Sequence, residues 1–592
     1  MLPFLSGSKS SLLRYLLVGV SFILVFLYFL LFNKFHLYYL EQTQLFRFST
    51  DYFHSFTMKP GDLIFYIGEF FTQFFITQFL GAFILTLLIS FVCFLSYMLY
   101  LKAGLKSTLV SLLPAISLIT LHSSHLYKIG LTVGIILVLS FVYGFLQIRG
   151  RIFRYIYGLT CWLVLYYISG ALALYGSIFI ILGEILFFSE KTGWIAAIVF
   201  FIFSVAVPFI GVKYLFFEPF KDAWIYPLPF WGVNRTPMFI ALIIKLLVVY
   251  FAILVFRKFL KKEIFEVPVN FISAILACVL IAMAAVFIRF KAYDPKTEIF
   301  FGMDHYVQTG EWNKVLKLSQ KYQGINQLVL YYTNLALYKT GQMGDHIFDY
   351  PQRGTKGLQL EWARDEISPF FGGEIFYHLN YINEANRWAF ESMVAKGLNP
   401  RSLKRLVLTN LINGQYNVAV KYLDLLDETL YYKDWSKKYR GYVENPTEID
   451  HDTELVQKRH FLVKNDFISL NLGLNELLKE HPDNRMAFEY MMATFLLNKD
   501  IKNFAANIYR LKELGYKEIP VNYEEALLFC MAYFKKDLVP EGFQIRNSTV
   551  QRKNEYIAQI SQCGGDRNLA AHKVYPQFGN TAWFYLHFVD QK

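Results

Sequence analysis

Apolar residues are distributed along this chain in two different ways. Up to Phe290 they come in long runs broken by short polar segments, and from Lys291 onward they recur every three or four positions among charged ones. A run of about 20 apolar residues crosses a bilayer as a helix. The first half offers nine such runs, at about 12–32, 72–101, 107–121, 126–147, 155–169, 171–188, 192–215, 237–256 and 268–288. No small-residue cleavage site follows the first, so it reads as a retained span and not as a removed signal. The second half keeps helical spacing, punctuated by Gly and Pro, with no strand alternation. The pattern therefore predicts an all-α protein: a polytopic helical membrane domain of about nine spans over 1–290, with external loops 33–71 and 218–237, then a helical domain over 291–592.

Charge sharpens this picture. Only 18% of residues are charged, against about 25% in soluble proteins, and mean hydropathy is +0.33. The formal charge of +12 raises the question of nucleic acid, but the basic residues of the first half stand beside the apolar runs, so membrane lipid is the expected partner and nucleic acid is not. Counting alternate loops and span ends gives twelve Lys and Arg on the N-terminal side and seven on the other. Cytoplasmic loops carry the excess, which puts the N-terminus inside. Nine spans then put residues after Arg289 outside, on the face of the 33–71 loop.

Three stretches of the second half resemble one another: 324–343, 399–426 and 481–511 each carry Asn near the start (Asn326, Asn399, Asn484), run through a helix, turn, and resume. With small residues such as Ala419, Ala487 and Ala493 at expected helix contacts and Gly341 or Gly414 at the turn, the pattern resembles tetratricopeptide repeats. That resemblance implies an α-solenoid whose concave face takes a protein or peptide. The 345–373 insert belongs to no repeat. Of five cysteines, Cys93, Cys161 and Cys278 lie in apolar runs, and Cys530 and Cys563 are able to pair if their domain is extracytoplasmic.

Candidate chemistry concentrates in the 33–71 loop, where Glu41, Asp51, Asp62 and Glu69 stand among Tyr39, Phe46, Phe48, Tyr52, Phe53 and Phe56. The stretch 218–237 supplies a second wall: its prolines forbid long helix, and Trp224, Tyr226, Phe230 and Trp231 can lie over a substrate or the bilayer surface. Glu184 and Lys245 fall within spans, where an ionisable group is costly and marks function or a partner; the two are candidates to pair. The bland alternatives are an interfacial aromatic belt, solvated loop charges and a charge near a span end.

The order of spans, long acidic first loop and appended domain, from Leu12 to about Arg289, resembles the GT-C class of integral-membrane glycosyltransferases, which includes oligosaccharyltransferases. The resemblance implies a catalytic carboxylate in the first loop, Asp51 or Glu41, acting on a polyprenyl-phosphate-linked glycan. Arg47, Lys128 and Arg235 are then candidates to neutralise the departing phosphate, and Asp62, Trp224 and Trp231 to bind substrate. A second acidic site common in that class is absent, since His122–His125 (HSSH) stands between spans three and four. No metal ligand is assigned, and metal-assisted and metal-free forms both stay open. The runs 228–237, 331–345, 348–358 and 369–423 also look like a family of uncharacterised bacterial multispan membrane proteins, which implies the inner membrane with a periplasmic second half. The leading expectation is a GT-C-like transferase moving a lipid-linked glycan onto an envelope acceptor held by the solenoid. The alternatives are a non-enzymatic membrane-anchored scaffold for envelope assembly and, third, a transporter.

Overall fold

The structure, a computed structural model, describes residues 9–102, 108–186, 193–216, 218–228, 293–463 and 473–590, with isolated positions between 245 and 290. These residues contain helices, turns and loops and no strand. Contacts divide the chain into two compact units, residues 1–298 with 428–431, and residues 299–427 with 432–592.

In the first unit, α1 (Lys9–Phe32) leads into three short helices, α2 (Lys34–Gln42), α3 (Thr50–Ser55) and α4 (Leu63–Thr72), and then α5 (Gln78–Lys102). The 33–71 stretch is therefore itself largely helical, and α4 carries an apolar face that packs on α7. There follow α6 (Thr108–His122), α7 (Ile129–Gln147), α8 (Arg151–Ser169), α9 (Leu172–Leu186), α10 (Gly193–Tyr214) and α11 (Asp222–Ile225). Among the described residues five helices are long and apolar enough to cross a membrane: α1 from Tyr15, α5, α7, α8 and α10. Among these α7 is the most enclosed and α1 the least. Among the described residues α6 and α9 have 15 residues each, a rise of about 22 Å at 1.5 Å per residue. The runs at 237–256 and 268–288 lie outside the described residues apart from isolated positions.

Helix α4 reaches α7 through two glycines. A Cβ on Gly68 would lie 2.6 Å from the Gly130 nitrogen, and one on Gly130 would lie 2.7 Å from the Ile64 carbonyl oxygen. Backbone contact of this kind is how helices associate where lipid removes the hydrophobic drive. It seats Ile64, fully buried, in the core around α7.

Glu184 does not pair with Lys245, which is exposed on its helix. Its carboxylate instead meets Arg154 of α8 at 2.8 Å, with both side chains 1% exposed. Arg154, one of the twelve basic residues counted in loops and span ends on the N-terminal side, is thus a structural partner: a carboxylate inside apolar surroundings needs a cation held within hydrogen-bond reach, and α8 and α9 lie side by side.

The second unit is built from helix pairs. Asn326, Asn399 and Asn484 each cap a helix, accepting from backbone N–H groups two or three residues on, which satisfies donors the helix start leaves open. Gly341 and Gly414 follow the first two helices with φ of +69° and +71°, and Ala419, Ala487 and Ala493 are buried. The first stretch departs from the expected pattern. After Gly341 it forms only the short helix Met343–His346 and a 3-10 turn at Ile347–Asp349, and the Asp345 carboxylate accepts from the Val521 N–H at 2.6 Å. Cys530 and Cys563 are unpaired thiols, not a disulfide. Each sulfur lies against a backbone carbonyl, of Ile501 and Gln559 respectively.

A buried charge network ties the first helices of this unit together. Arg401 reaches Asp304 at 2.6 Å and Glu374 at 3.4 Å, Arg405 reaches Glu374 at 2.7 Å, and Gln308 donates to Glu374 at 2.9 Å.

Two predictions follow from these charges. Removing one partner of a buried pair costs about 3–5 kcal/mol, while an apolar pair of similar volume can be neutral. Glu184→Ala should therefore lower the thermal unfolding midpoint of the detergent-solubilised chain sharply, and Arg154→Met with Glu184→Leu should recover most of the loss. In the second unit, burial raises the Glu374 carboxyl, but Arg405 and Arg401 outweigh it and hold it down at about 2, from 4.5. A depressed carboxylate contributes stability above its unfolded value and loses it as pH falls through the folded one. Circular-dichroism melts between pH 4.5 and 2 should show a loss of stability that is shallower in Glu374→Gln.

Candidate functional site

The C-terminal end of α8 gathers both candidate loops of the first unit. Tyr167 donates its hydroxyl to the Thr57 carbonyl at 2.9 Å, and its own carbonyl accepts from the Gly61 N–H at 3.0 Å. Tyr166 donates to the Ala223 carbonyl at 3.1 Å, and Ala171 N–H to the Tyr226 carbonyl at 2.8 Å. Residues 57–61 of one loop and 223–226 of the other are thus bonded to the same helix end. Gly61, at φ +97°, and Gly170, at φ +56°, face each other across Tyr226: a Cβ on Gly170 would lie 2.6 Å from the Tyr226 carbonyl oxygen. Only glycine combines that backbone conformation with that approach.

Asp62 follows Gly61 at the start of α4, and the Tyr226 hydroxyl donates to its carboxylate. Lys59 sits 3.9 Å from the same oxygen and lies over the Tyr226 ring at 3.6 Å. Burial raises the proton affinity of Asp62, opposed by the Tyr226 hydrogen bond and by the charges of Lys59 and Lys128. Glu218 is also raised, chiefly by burial, with Lys59 opposing and Asp222 and Asp62 adding to it. Burial and the bond to Asp62 keep the Tyr226 phenol protonated. The indole N–H of Trp224 is buried with no acceptor among the described residues. Two carboxylates of raised proton affinity, two lysines whose charges act on them and a spare donor therefore belong to the region where the loops meet. Such a group can take a proton from a hydroxyl or amide and hold an anion beside it.

Of the remaining sequence candidates, Lys128 acts on the cluster through its charge and the others fall elsewhere. Asp51 is exposed in the first turn of α3. Glu41 is buried on α2 and accepts from the Gln42 side chain at 2.6 Å. Arg47 is not paired with Asp51: its guanidinium meets Glu428 at 3.0 Å and lies 5.1 Å from the Tyr52 ring. Tyr52 in turn donates to Glu69 within a cluster of Phe46, Phe56 and Tyr66 rings, so much of the loop's aromatic content packs on itself. Lys128 is exposed at the N-terminal edge of α7, 5.3 Å from the Phe65 ring. Trp231 and Arg235 lie outside the described residues.

At the base of α2, the Glu298 carboxylate accepts from the Phe35 and His36 N–H groups at 2.9 and 3.1 Å, and burial pushes it up to about 7. His36 is buried and, with His125 and His122 near it, held down to about 3. Among the described residues no group of three or more His, Cys, Asp or Glu is arranged to hold a metal ion. Sequence reasoning named Asp62 but missed Lys59 and Glu218 as its neighbours. The available signal was the Pro60-Gly61 turn directly before an acid, which fixes a sharp bend that a solvated loop does not need.

The sequence model of a family of unknown function, DUF6057, matches residues 9–589. The chain belongs to that family. Because the match runs through both units, their combination in one chain is a feature of the family. No curated protein and no solved structure matches the chain.

Removing the Tyr226 hydroxyl takes away the leading influence that lowers Asp62. In Tyr226→Phe the carboxyl should therefore titrate at higher pH than in the parent protein, and Lys59→Gln should shift it in the same direction. Infrared difference titration of the carboxyl band, with Asp62→Asn to assign it, reads both; an unchanged midpoint in Tyr226→Phe contradicts the account.

Proposed function

We propose that the protein is a GT-C-like glycosyltransferase of the bacterial inner membrane, with nine spans, a cytoplasmic N-terminus and a periplasmic second half that resembles tetratricopeptide repeats. It moves a sugar from a polyprenyl-phosphate carrier onto an envelope protein held by that half. The observation that carries this reading is the Asp62 cluster, where a half-buried carboxylate of raised proton affinity stands beside Lys59, with the charge of Lys128 also acting on it. Asp62 displaces Asp51 as the preferred base, since an exposed carboxylate on a helix has no means of excluding water or of orienting an acceptor.

In this reading Asp62 removes the proton from the acceptor hydroxyl or amide as that atom attacks the anomeric carbon. The bond from that carbon to the phosphate oxygen breaks, and the departing phosphate keeps the electron pair. Lys59 and Lys128 offset the charge it gains, and Tyr226 holds the carboxylate in place. A divalent metal is not required by this set of residues, although the departing phosphate could carry one.

A positioned general base contributes about 10² to 10⁴-fold in rate. Asp62→Asn should abolish most glycan transfer at matched protein level, Tyr226→Phe should reduce it less, and Asp51→Asn and Glu41→Gln should leave it near the parent value. The measurement is the glycan profile of envelope proteins and lipopolysaccharide in strains carrying each variant. A gene deletion that alters no glycoconjugate would falsify the enzyme reading and leave the scaffold; a deletion that matters while Asp62→Asn is silent moves the site elsewhere in the first unit.

A further inference from the structure

The helix Ile382–Lys396 of the second unit buries Ile382, Ala385, Trp388 and Ala389 along one face. A helix packed in this way normally turns polar residues outward. Here Phe390 and Val394, one turn apart on the outer side, are 46% and 65% exposed. The segment 361–367 runs beside them and is exposed at every position except Ala363. It adds Trp362 and Ile367, 38% and 51% exposed. Both ends of the segment are fixed to the helix: the Arg387 guanidinium lies 4.6 Å from the Trp362 ring, which meets Trp388 edge-on at 5.2 Å, and Lys396 reaches Glu366 at 3.7 Å. Asp365 holds the Ile367 backbone, accepting from the Ile367 and Ser368 N–H groups at 2.9 and 2.6 Å. Four large apolar side chains therefore belong to one fixed face of the unit.

An exposed apolar face of this kind marks an interaction site, and its rim decides the partner. Arg364, Arg387 and Lys396 stand there with Glu361, Asp365, Glu366 and Glu391. An anionic lipid surface gains little from so balanced a rim, and a partner of one strong sign meets repulsion along with attraction. A face carrying both signs around an apolar centre is complementary to a copy of itself turned about a two-fold axis, the commonest arrangement in homo-oligomers. The same chain has five helices with the length and composition to cross a membrane, and copies confined to one bilayer meet at raised effective concentration.

We propose that the face formed by the helix Ile382–Lys396 and residues 361–367 is an interface between two copies of this chain, with Phe390, Val394, Trp362 and Ile367 at its centre and charges of both signs at its rim. The proposal concerns the second unit alone and stands apart from the transfer reading, since a transferase and a scaffold can both pair through it.

The test places the photoreactive residue p-benzoylphenylalanine at position 390, and separately at 394, of the full chain in cell membranes. Irradiation is followed by denaturing electrophoresis and mass spectrometry of the joined peptides. The expected result is a product of twice the mass of the chain, joined within 361–367 or 382–396 of the second copy. With the probe at 390, Val394→Arg should cut that product about tenfold or more, because it buries an unpaired charge in an apolar centre, while Val394→Ile should leave it near the parent yield. The same probe at position 533, where Tyr533 is exposed elsewhere in the unit, should give no such product. Joining to another segment of the second copy, to a different protein or to lipid, or no product from either position, overturns the proposal. Parent-like yield in Val394→Arg, or equal yield from position 533, overturns it as well. Glycan transfer is not part of any readout, so failure here and failure of the transferase reading are separable.

Discussion

Where α8 ends, the chain leaves the helix at Gly170 with a positive φ, and the groups freed there are taken by two segments that are far apart in sequence. Tyr167 holds residues 57 and 61, while Tyr166 and Ala171 hold 223 and 226. None of these bonds is unusual alone. Together they oblige Asp62 and Tyr226 to meet, because each is the immediate neighbour of an anchored residue or is anchored itself. The Asp62 cluster is therefore a consequence of how one long apolar helix is capped. Any change that relaxes Gly170 or Gly61 would separate the carboxylate from its tyrosine without touching either. A helix end is a sound foundation for such a site, since unpaired backbone groups in a low-dielectric setting are costly enough to keep their partners.

Buried charge recurs in both units, with different consequences. Arg154 and Glu184 form a buried pair between two helices, with the Tyr155 hydroxyl also donating to Glu184 at 3.4 Å and the guanidinium beside the Phe145 and Tyr155 rings; it ties α8 to α9. Arg401, Arg405, Asp304 and Glu374 form a network in which each charge has more than one partner. It specifies how several helices meet while adding little net stability over apolar packing. Neither set resembles a reaction centre, since in each the charges are satisfied by one another. The Asp62 cluster differs because burial outweighs the nearby lysines and raises the proton affinity of its carboxylates, so it still has capacity to interact with something else.

The legible part of this architecture was the part written in local pattern. Helical period, the asparagines at helix starts and the glycines after helix ends all mark elements whose capping is a matter of a few neighbouring residues, and the second unit follows them at Asn326, Asn399 and Asn484. What was not legible was long range. Apolar runs mark where helices lie without fixing which of them cross a membrane: among the described residues five helices have the length and composition to do so, α6 and α9 have 15 residues each, and the stretch between α1 and α5 contains α4, an apolar helix. Apolar content reports that a segment avoids water, and α4 does so by packing its glycine on Gly130. Similarly, Arg154 read as a topological charge because nothing near it in sequence announces Glu184, thirty residues on. Asp51 looked as good as Asp62 for the same reason: two acids among aromatics differ only in what the fold brings to them.

The Asp62 cluster also has a sign. Lys59 lies over the Tyr226 ring and 3.9 Å from the Asp62 carboxylate, and the charge of Lys128 acts on the same group, so an anionic group gains there and a bare cation meets Lys59 first. Because Asp62 is half-buried, that preference is expected to weaken with salt less than one made by exposed charges would. A transferase would use it to hold a departing phosphate and a scaffold to hold a lipid headgroup. The arrangement therefore limits which groups can be bound more strictly than it fixes the chemistry done on them.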